Sequence, residues 1–235
     1  MKYLFYLLFF ISTVACVVPE TVSHLENKYN RALQLDDYNT AIVYLHEIQD
    51  LDADNNTVYK RLANCYYKIN AYESAVKAVD VALKEANKLE KERLLLIKAK
   101  SLVELKNYLD GVGVYITLGT IDPKRALEYR YEVGVLYKAH GDFGNALLQM
   151  EKNVKDPLAK LLQREIVLGD GNVELVTYYH ASLNFIGALQ VQANDLFAAQ
   201  KTYEKLFEDQ NISFVLARQN YQVLLQLIEQ NKSAQ

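Results

Sequence analysis

The chain has 235 residues, 51% of them hydrophobic, so it can bury a substantial core and is not a disordered segment. Its formal net charge is -3, with both signs mixed along the chain, which gives no long-range attraction to nucleic acid. The three prolines lie at predicted helix boundaries, and two cysteines are too few for a disulfide framework. An all-α globular protein that does not bind nucleic acid is therefore expected.

The amino terminus has a basic start and an apolar run over residues 3–18, which resembles a secretory signal peptide. Residues 13–16 also resemble the lipobox of bacterial lipoproteins, where cleavage before the cysteine leaves a thiol for lipid attachment. Ala15 fits that pattern, whereas Thr13 stands where the family usually has Leu. The resemblance implies a signal peptide over residues 1–15, a tether over 16–24 and a lipid at Cys16.

Two alternatives stay open for this segment. An ordinary signal peptidase cut after Ala15 would release a soluble secreted protein. The run could also be an uncleaved anchor or a core helix, although it is shorter than the roughly 20 apolar residues that span a bilayer comfortably.

The next part of the chain contains two copies of one pattern. In residues 58–86, apolar side chains recur at helical spacing in two segments separated by a turn at residues 69–71. Ala63, Ala75 and Ala82 are small enough to let two helices cross closely. Residues 25–51 hold a weaker copy, in which Tyr38 matches Tyr72 at a shift of about 34 residues.

This pattern resembles the tetratricopeptide repeat family, in which pairs of helices recur about every 34 residues. A third copy spans residues 95–123, with Gly111 at the helix crossing, and a fourth spans residues 125–157, with a Gly141-Asp142 turn. The charged residues 85–93 are interpreted as a solvated helical extension that lengthens one helix. A last copy over residues 183–206 begins later in the chain than the period of the repeat predicts. Residues 212–229 are predicted to form a capping helix.

An inserted segment, residues 158–179, separates the fourth and last copies. It is either an irregular element that shapes the binding face or a decayed repeat, and its role stays open. An amphipathic helix broken at residues 169–172 is predicted from five apolar residues at helical spacing: Leu158, Leu161, Leu162, Ile166 and Leu168.

The resemblance implies one architecture for residues 25–235. This is an all-α, right-handed α-solenoid of about five helical-pair repeats with a C-terminal capping helix.

No catalytic or metal-binding pattern is present in the sequence. The acidic residues 50–54 lack the Gly and the bidentate Glu of a calcium loop, and the four histidines have no paired ligand spacing. Cys65, beside Ala63 on a predicted helix, is interpreted as a small buried hydrophobe. The sequence therefore predicts no enzyme, no cofactor and no metal.

In the resembled family, the first helix of each pair lines a concave face that holds peptides. The lysines and amides on this face suit an acidic or carboxylate-bearing ligand, and the tyrosines offer contact area at low entropy cost. Projected onto this chain, the expected partner-binding residues are Lys60, Asn64, Tyr67, Lys68, Lys100, Tyr131, Val135, Lys138, Asn184 and Gln192.

The expected function is a non-catalytic scaffold for protein-protein interaction. The combined resemblances imply a lipoprotein of the bacterial envelope, on the periplasmic side of a membrane such as the outer membrane, that supports assembly of a pilus, secretion or outer-membrane insertion complex. The alternative is a soluble exported chaperone or regulator that binds peptides. A third hypothesis is an enzyme with a site in the inserted segment, which the absence of an acid-base pair there disfavours.

Overall fold

The computed structural model describes residues 21–208 and 212–233, which are mostly α-helical. The proposed signal peptide and the lipid attachment at Cys16 lie outside the described residues, as does most of the 16–24 tether. The first helix already begins at Val22, so the last part of that tether is helical.

Helices follow one another in pairs, as the repeat pattern predicts. The pairs are α1 (Val22–Gln34) with α2 (Tyr38–Leu51), α3 (Thr57–Lys68) with α4 (Tyr72–Ala82), α5 (Lys88–Glu104) with α6 (Tyr108–Ile121), α7 (Ala126–His140) with α8 (Phe143–Lys155), and α9 (Tyr178–Gln192) with α10 (Leu196–Leu206). A single helix, α11 (Val215–Ser233), follows them, and two strands, β1 (Gln163–Val167) and β2 (Val173–Thr177), lie between α8 and α9. The prediction of about five helical pairs with a capping helix is confirmed. None of the described helices is both long and apolar enough to cross a membrane.

The turn inside each pair has the same backbone geometry five times. One residue takes a left-handed conformation, with φ between 52° and 92°, and the N–H of the following residue returns to a carbonyl of the first helix at 2.8–2.9 Å. This is the hydrogen-bond pattern with which a helix ends on a left-handed residue. The left-handed residues are Asp36, Asn70, Lys106, Gly141 and Asn194.

The chain divides into two compact units, Met1–Asn55 and Asn56–Gln235. In the first unit, α1 and α2 pack against each other. The buried residues of these two helices are Leu25, Tyr29, Ala32, Ala41, Leu45 and Ile48.

The described part of the second unit includes the following two hydrophobic clusters. One lies among α5, α6 and α7, and includes Ala99, Leu118 and Val133. The other spans α7 to α11 and includes Tyr203 and Leu224. Gly187 is required in the second cluster, because a Cβ there would lie 2.7 Å from the ring of Tyr203.

The helix predicted for residues 158–168 is wrong. Residues 157–160 form one 3₁₀ turn, and an antiparallel hairpin of β1 and β2 follows, with Ile166 opposite Glu174. Apolar residues at this spacing fit a helix as well as a half-buried strand, and the left-handed Gly171 in the turn favours the hairpin.

The charged residues 85–93 do not extend α4, which ends at Ala82. Asn87 accepts a hydrogen bond from the backbone of Glu90, and the Glu90 carboxylate accepts one from the backbone of Asn87. This capping box starts α5 at Lys88, so most of the charged segment is the first part of α5.

Candidate functional site

The first helices of the pairs in the second unit, α3, α5, α7 and α9, are the elements on which the sequence places the partner-binding residues. Lys60 on α3 forms an ion pair of 2.8 Å with Glu90 on α5. Arg125 at the start of α7 forms one of 3.2 Å with Glu92 on α5, and Tyr129 donates a hydrogen bond to the same carboxylate. These bonds join α3, α5 and α7, and α9 contacts α7. The four helices are called here the first-helix layer.

The predicted residues of α3 and α5 differ in their accessibility. Lys60 is engaged with Glu90 and holds two helices together. Tyr67 is half-buried, and its ring centroid lies 6.0 Å from that of Tyr72. Three side chains are exposed and make up the open surface of this region: Asn64, Lys68 and Lys100.

The predicted residue Tyr131 on α7 is buried, with 6% of its surface exposed. The guanidinium of Arg164 on β1 lies 3.6 Å from the centre of its ring, and the rings of Tyr178 and Phe185 meet it edge to face. The protein's own side chains therefore cover Tyr131, and it is not available to a partner in this conformation.

Asn184 on α9 is also buried, with 8% of its surface exposed. Its side-chain carbonyl accepts a hydrogen bond of 3.0 Å from Asn220 on α11. The capping helix thus occupies the position that the sequence assigned to a ligand.

The remaining predicted residues lie at the margin of the covered region. Val135 is half-buried and packs against the hydrophobic cluster that spans α7 to α11. Lys138 is exposed, with its ammonium 5.2 Å from the ring centre of Phe185, and Gln192 is exposed near the end of α9.

The hairpin is attached through the inward face of each strand. Arg164 on β1 forms an ion pair of 3.5 Å with Glu132 on α7. Glu174 on β2 accepts hydrogen bonds of 3.0 and 3.1 Å from the backbone N–H of Val215, the first residue of α11. A carboxylate at a helix start stabilises its unpaired N–H groups. The hairpin therefore joins α7 to α11.

The ion pair under the hairpin is partly buried, with 19% of the Arg164 side chain and 32% of the Glu132 side chain exposed. Burial raises the pKa of the Glu132 carboxyl, and the opposing attraction of Arg164 is smaller. Two guanidinium nitrogens of Arg164, Nε and Nη1, are buried without a hydrogen-bond partner. The stacking of the guanidinium on Tyr131 compensates in part, because the ring face attracts a cation.

Sequence reasoning missed Arg164, Glu132 and Glu174. The sequence signal for the hairpin that carries two of them is the turn-forming stretch 169–172 between segments that contain Ile and Val on one side and Val and Thr on the other. No comparable signal exists for Glu132, because its partner lies more than thirty positions along the chain.

Cys65 is fully buried, and burial raises the pKa of its thiol to about 11. The interpretation as a small buried hydrophobe is confirmed, since the thiol stays protonated at neutral pH. In the part of the chain that the structure describes, no group of three or more His, Cys, Asp or Glu side chains is placed to hold a metal ion.

Comparison with known proteins now adds to this geometry. The tetratricopeptide repeat family matches residues 32–100, from the end of α1 to within α5. MamA from Desulfovibrio magneticus RS-1 superposes with a TM-score of 0.54 at 18% identity, covering 80% of this chain and 93% of that chain. The fold is that of tetratricopeptide repeat proteins.

Two further solved structures share this tetratricopeptide fold. YrrB, described as a tetratricopeptide protein with an unusual peptide-binding site, has a TM-score of 0.57 at 14% identity and covers 86% of this chain and 92% of that chain. A tetratricopeptide repeat protein from Parabacteroides merdae ATCC 43184 has a TM-score of 0.57 at 15% identity, covering 91% and 75%. No curated protein sequence matches the chain significantly. Neither the family match nor these structures indicate an enzyme family.

Proposed function

We propose that this protein is a non-catalytic scaffold that binds a segment of a partner protein on the open part of its first-helix layer. The observation that carries the proposal is the contrast within this layer. Asn64, Lys68 and Lys100 on α3 and α5 are exposed, whereas Tyr131 and Asn184 on α7 and α9 are covered. The tetratricopeptide fold and the peptide-binding site in the description of YrrB support the same class of ligand.

The chemistry of the open surface favours a ligand that carries carboxylates. Two exposed lysines and an amide can donate hydrogen bonds to carboxylate oxygens, and such charge-assisted bonds are stronger than neutral ones. Tyr67 beside them offers an aromatic face at low entropy cost. An acidic segment of a partner is therefore the expected ligand.

The proposal is tested by site-specific photo-cross-linking in cells. A photoreactive residue is placed at position 68 or at position 100. Position 77 is the control, because Lys77 is an exposed lysine on α4, which is the second helix of its pair and not part of the first-helix layer. One defined protein should be captured from positions 68 and 100 but not from 77, and Lys68→Glu with Lys100→Glu should abolish its capture. Capture of many unrelated unfolded proteins would instead indicate the chaperone alternative, and equal capture from all three positions would refute the site.

The finer proposal concerns location. Within the scaffold hypothesis, the protein is tethered to a bacterial envelope membrane through a lipid on Cys16 and supports assembly of a pilus, secretion or outer-membrane insertion complex. The support for it is the signal-like sequence of residues 1–16. Membrane fractionation of the wild type against Cys16→Ser tests it, because only a lipid-anchored protein moves to the soluble fraction on that change. A soluble wild type would favour the exported chaperone or regulator.

A further inference from the structure

The hairpin has one feature that the scaffold proposal does not use, which is the backbone of its edges. Tyr178 donates its N–H to the carbonyl of Leu162, and Leu168 donates to Asn172, at the two ends of the ladder. In an antiparallel pair, hydrogen-bonded and non-hydrogen-bonded positions alternate. With Arg164 opposite Val176 in register, the even-numbered residues of β1 pair with β2, and the odd-numbered residues direct their N–H and C=O groups away from it.

The free edge of β1 therefore presents Gln163, Glu165 and Val167. The backbone groups of these residues have no backbone partner among the hydrogen bonds of the described chain. An unpaired strand edge is a template for another strand, since only an extended backbone satisfies donors and acceptors at this spacing.

The outward side chains of the hairpin extend this template. Val167 is 70% exposed, and Val173 and Leu175 on β2 are 53% and 62% exposed. Glu165 is exposed between Gln163 and Val167 and has no ion-pair partner in the described chain. A strand added here would lie next to Gln163, Glu165 and Val167, with Val173 and Leu175 behind them on β2.

The two edges are not equivalent. The inward face of β1 contacts α7 through Arg164 and Glu132, whereas Glu174 on β2 reaches the start of α11. The edge of β2 therefore lies on the side of α11, and β2 runs directly into α9 at Tyr178. β1 instead follows the single 3₁₀ turn of residues 157–160, and its residues 163, 165 and 167 are all exposed.

We propose that an extended segment of a partner protein adds to the free edge of β1 as a third, antiparallel strand, with a basic residue opposite Glu165 and an apolar residue opposite Val167. The occupant is a peptide backbone because of the unpaired groups of residues 163, 165 and 167, and it is basic at its centre because of the charge of Glu165. This contact is separate from the lysines on α3 and α5, so each site can fail without the other.

The test uses a defined probe, the capped peptide Thr-Val-Thr-Lys-Thr-Val-Thr, which has the same sequence in both directions. Binding is measured by chemical-shift titration of the ¹⁵N-labelled protein. The expected result is saturable binding with the largest shifts at the amides of residues 163, 165 and 167. The absence of saturable binding up to millimolar peptide would overturn the proposal.

Two proline variants separate the edges. Glu165→Pro and Leu175→Pro each replace an N–H that points away from the partner strand, so both leave the hairpin ladder intact. The proposal predicts at least a tenfold loss of affinity for Glu165→Pro and a change of less than twofold for Leu175→Pro. An equal loss in both variants, or none in either, would refute strand addition at β1.

Two further probes do not depend on the folding of a variant. The peptide N-methylated at its lysine and at both valines lacks the backbone donors that face β1 when the lysine lies opposite Glu165, and it should bind at least tenfold more weakly. Glu165→Lys should reverse the preference between the lysine peptide and its glutamate-centred counterpart. Unchanged binding of the N-methylated peptide would show that side chains alone are recognised. Lys68→Glu with Lys100→Glu should leave this affinity unchanged, whatever happens to the acidic ligand of α3 and α5.

Discussion

The second and fourth helical pairs have the same backbone plan and present different surfaces. In the second pair, Asn64 and Lys68 on α3 are open to solvent. In the fourth, Tyr131 on α7 is covered by Arg164 from a hairpin inserted about thirty residues later. A position in the repeat therefore defines a direction relative to the helix pair, and accessibility depends on what the rest of the chain places over it.

The largest expected effect is the loss of stability when a tyrosine side chain is removed from the covered or the open region. Tyr131→Ala should lower the free energy of unfolding by about 3 kcal/mol, because it removes a buried ring from contacts with Arg164, Tyr178 and Phe185. Tyr67→Ala on the open side should lower it by about 1 kcal/mol, because its ring is half-buried. Urea unfolding measures both values, and equal losses would contradict the covered and open assignment.

The next effect concerns the ion pair. Arg164→Ala should destabilise the protein by about 2 kcal/mol at pH 7, since it leaves Glu132 desolvated without its counter-charge. Lys100→Ala, which removes an exposed cation from the same layer, should change stability by less than about 0.5 kcal/mol. The two variants form a matched pair for denaturant titration.

The loss of stability caused by Arg164→Ala should also depend on pH. The pKa of Glu132 is raised in the folded state, and it rises further when its cation is removed. The folded state then binds a proton that the unfolded state has already released, so stability falls as pH rises from the unfolded pKa through the folded one. Acidification from neutral pH towards the ordinary pKa of a glutamate should therefore shrink the deficit of the variant. A deficit that is constant with pH would show that Glu132 is not the group left unpaired.

Replacing a glycine with alanine should change the free energy of unfolding in opposite directions at Gly187 and at Gly113. Gly187→Ala on α9 should destabilise by about 2 kcal/mol, because its Cβ would lie 2.7 Å from the Tyr203 ring. Gly113→Ala on α6 has no atom within 4 Å of the new Cβ, so it should stabilise by about 0.5–1 kcal/mol through helix propensity. Thermal unfolding reports both, and a shift of the same sign in both variants would contradict the packing described for α9.

The smallest effect is at the turn of the third pair. Lys106 has φ of 58°, where the other four turns use Asp, Asn or Gly. Lys106→Gly should stabilise by about 0.5 kcal/mol, because glycine adopts this conformation without a steric penalty. The matched change Lys84→Gly, at a residue that is not left-handed, should not stabilise the protein.

Much of the fold is predictable because each repeat is a local unit. The spacing of Tyr38, Tyr72, Tyr108 and Phe143 gives the starts of four second helices, each of which directly follows a left-handed turn. The charged residues 85–93 were predicted to lengthen one helix; most of them belong to α5, whose start at Lys88 depends on a capping box that composition does not show.

The candidate site was predicted less well. Lys68 and Lys100 are exposed as projected, but Tyr131 and Asn184 are covered by segments distant in sequence, so no local pattern reports their burial. The hairpin itself was mistaken for a helix because apolar residues from Leu158 to Leu168 satisfy helical spacing. The turn-forming residues 169–172 between two segments that contain Val, Ile and Thr would have indicated a hairpin.

The bond from Glu174 to the first amide of α11 has a consequence for mechanical unfolding. Stacked repeats that contact only their neighbours can peel away one at a time when the chain is pulled from an end. Here a side chain 41 positions earlier holds the start of the terminal helix, and the same hairpin is bound to α7 through Arg164. Under load from the carboxyl terminus, α11 and the hairpin should detach together in one large step, and shorter steps should follow only after that rupture.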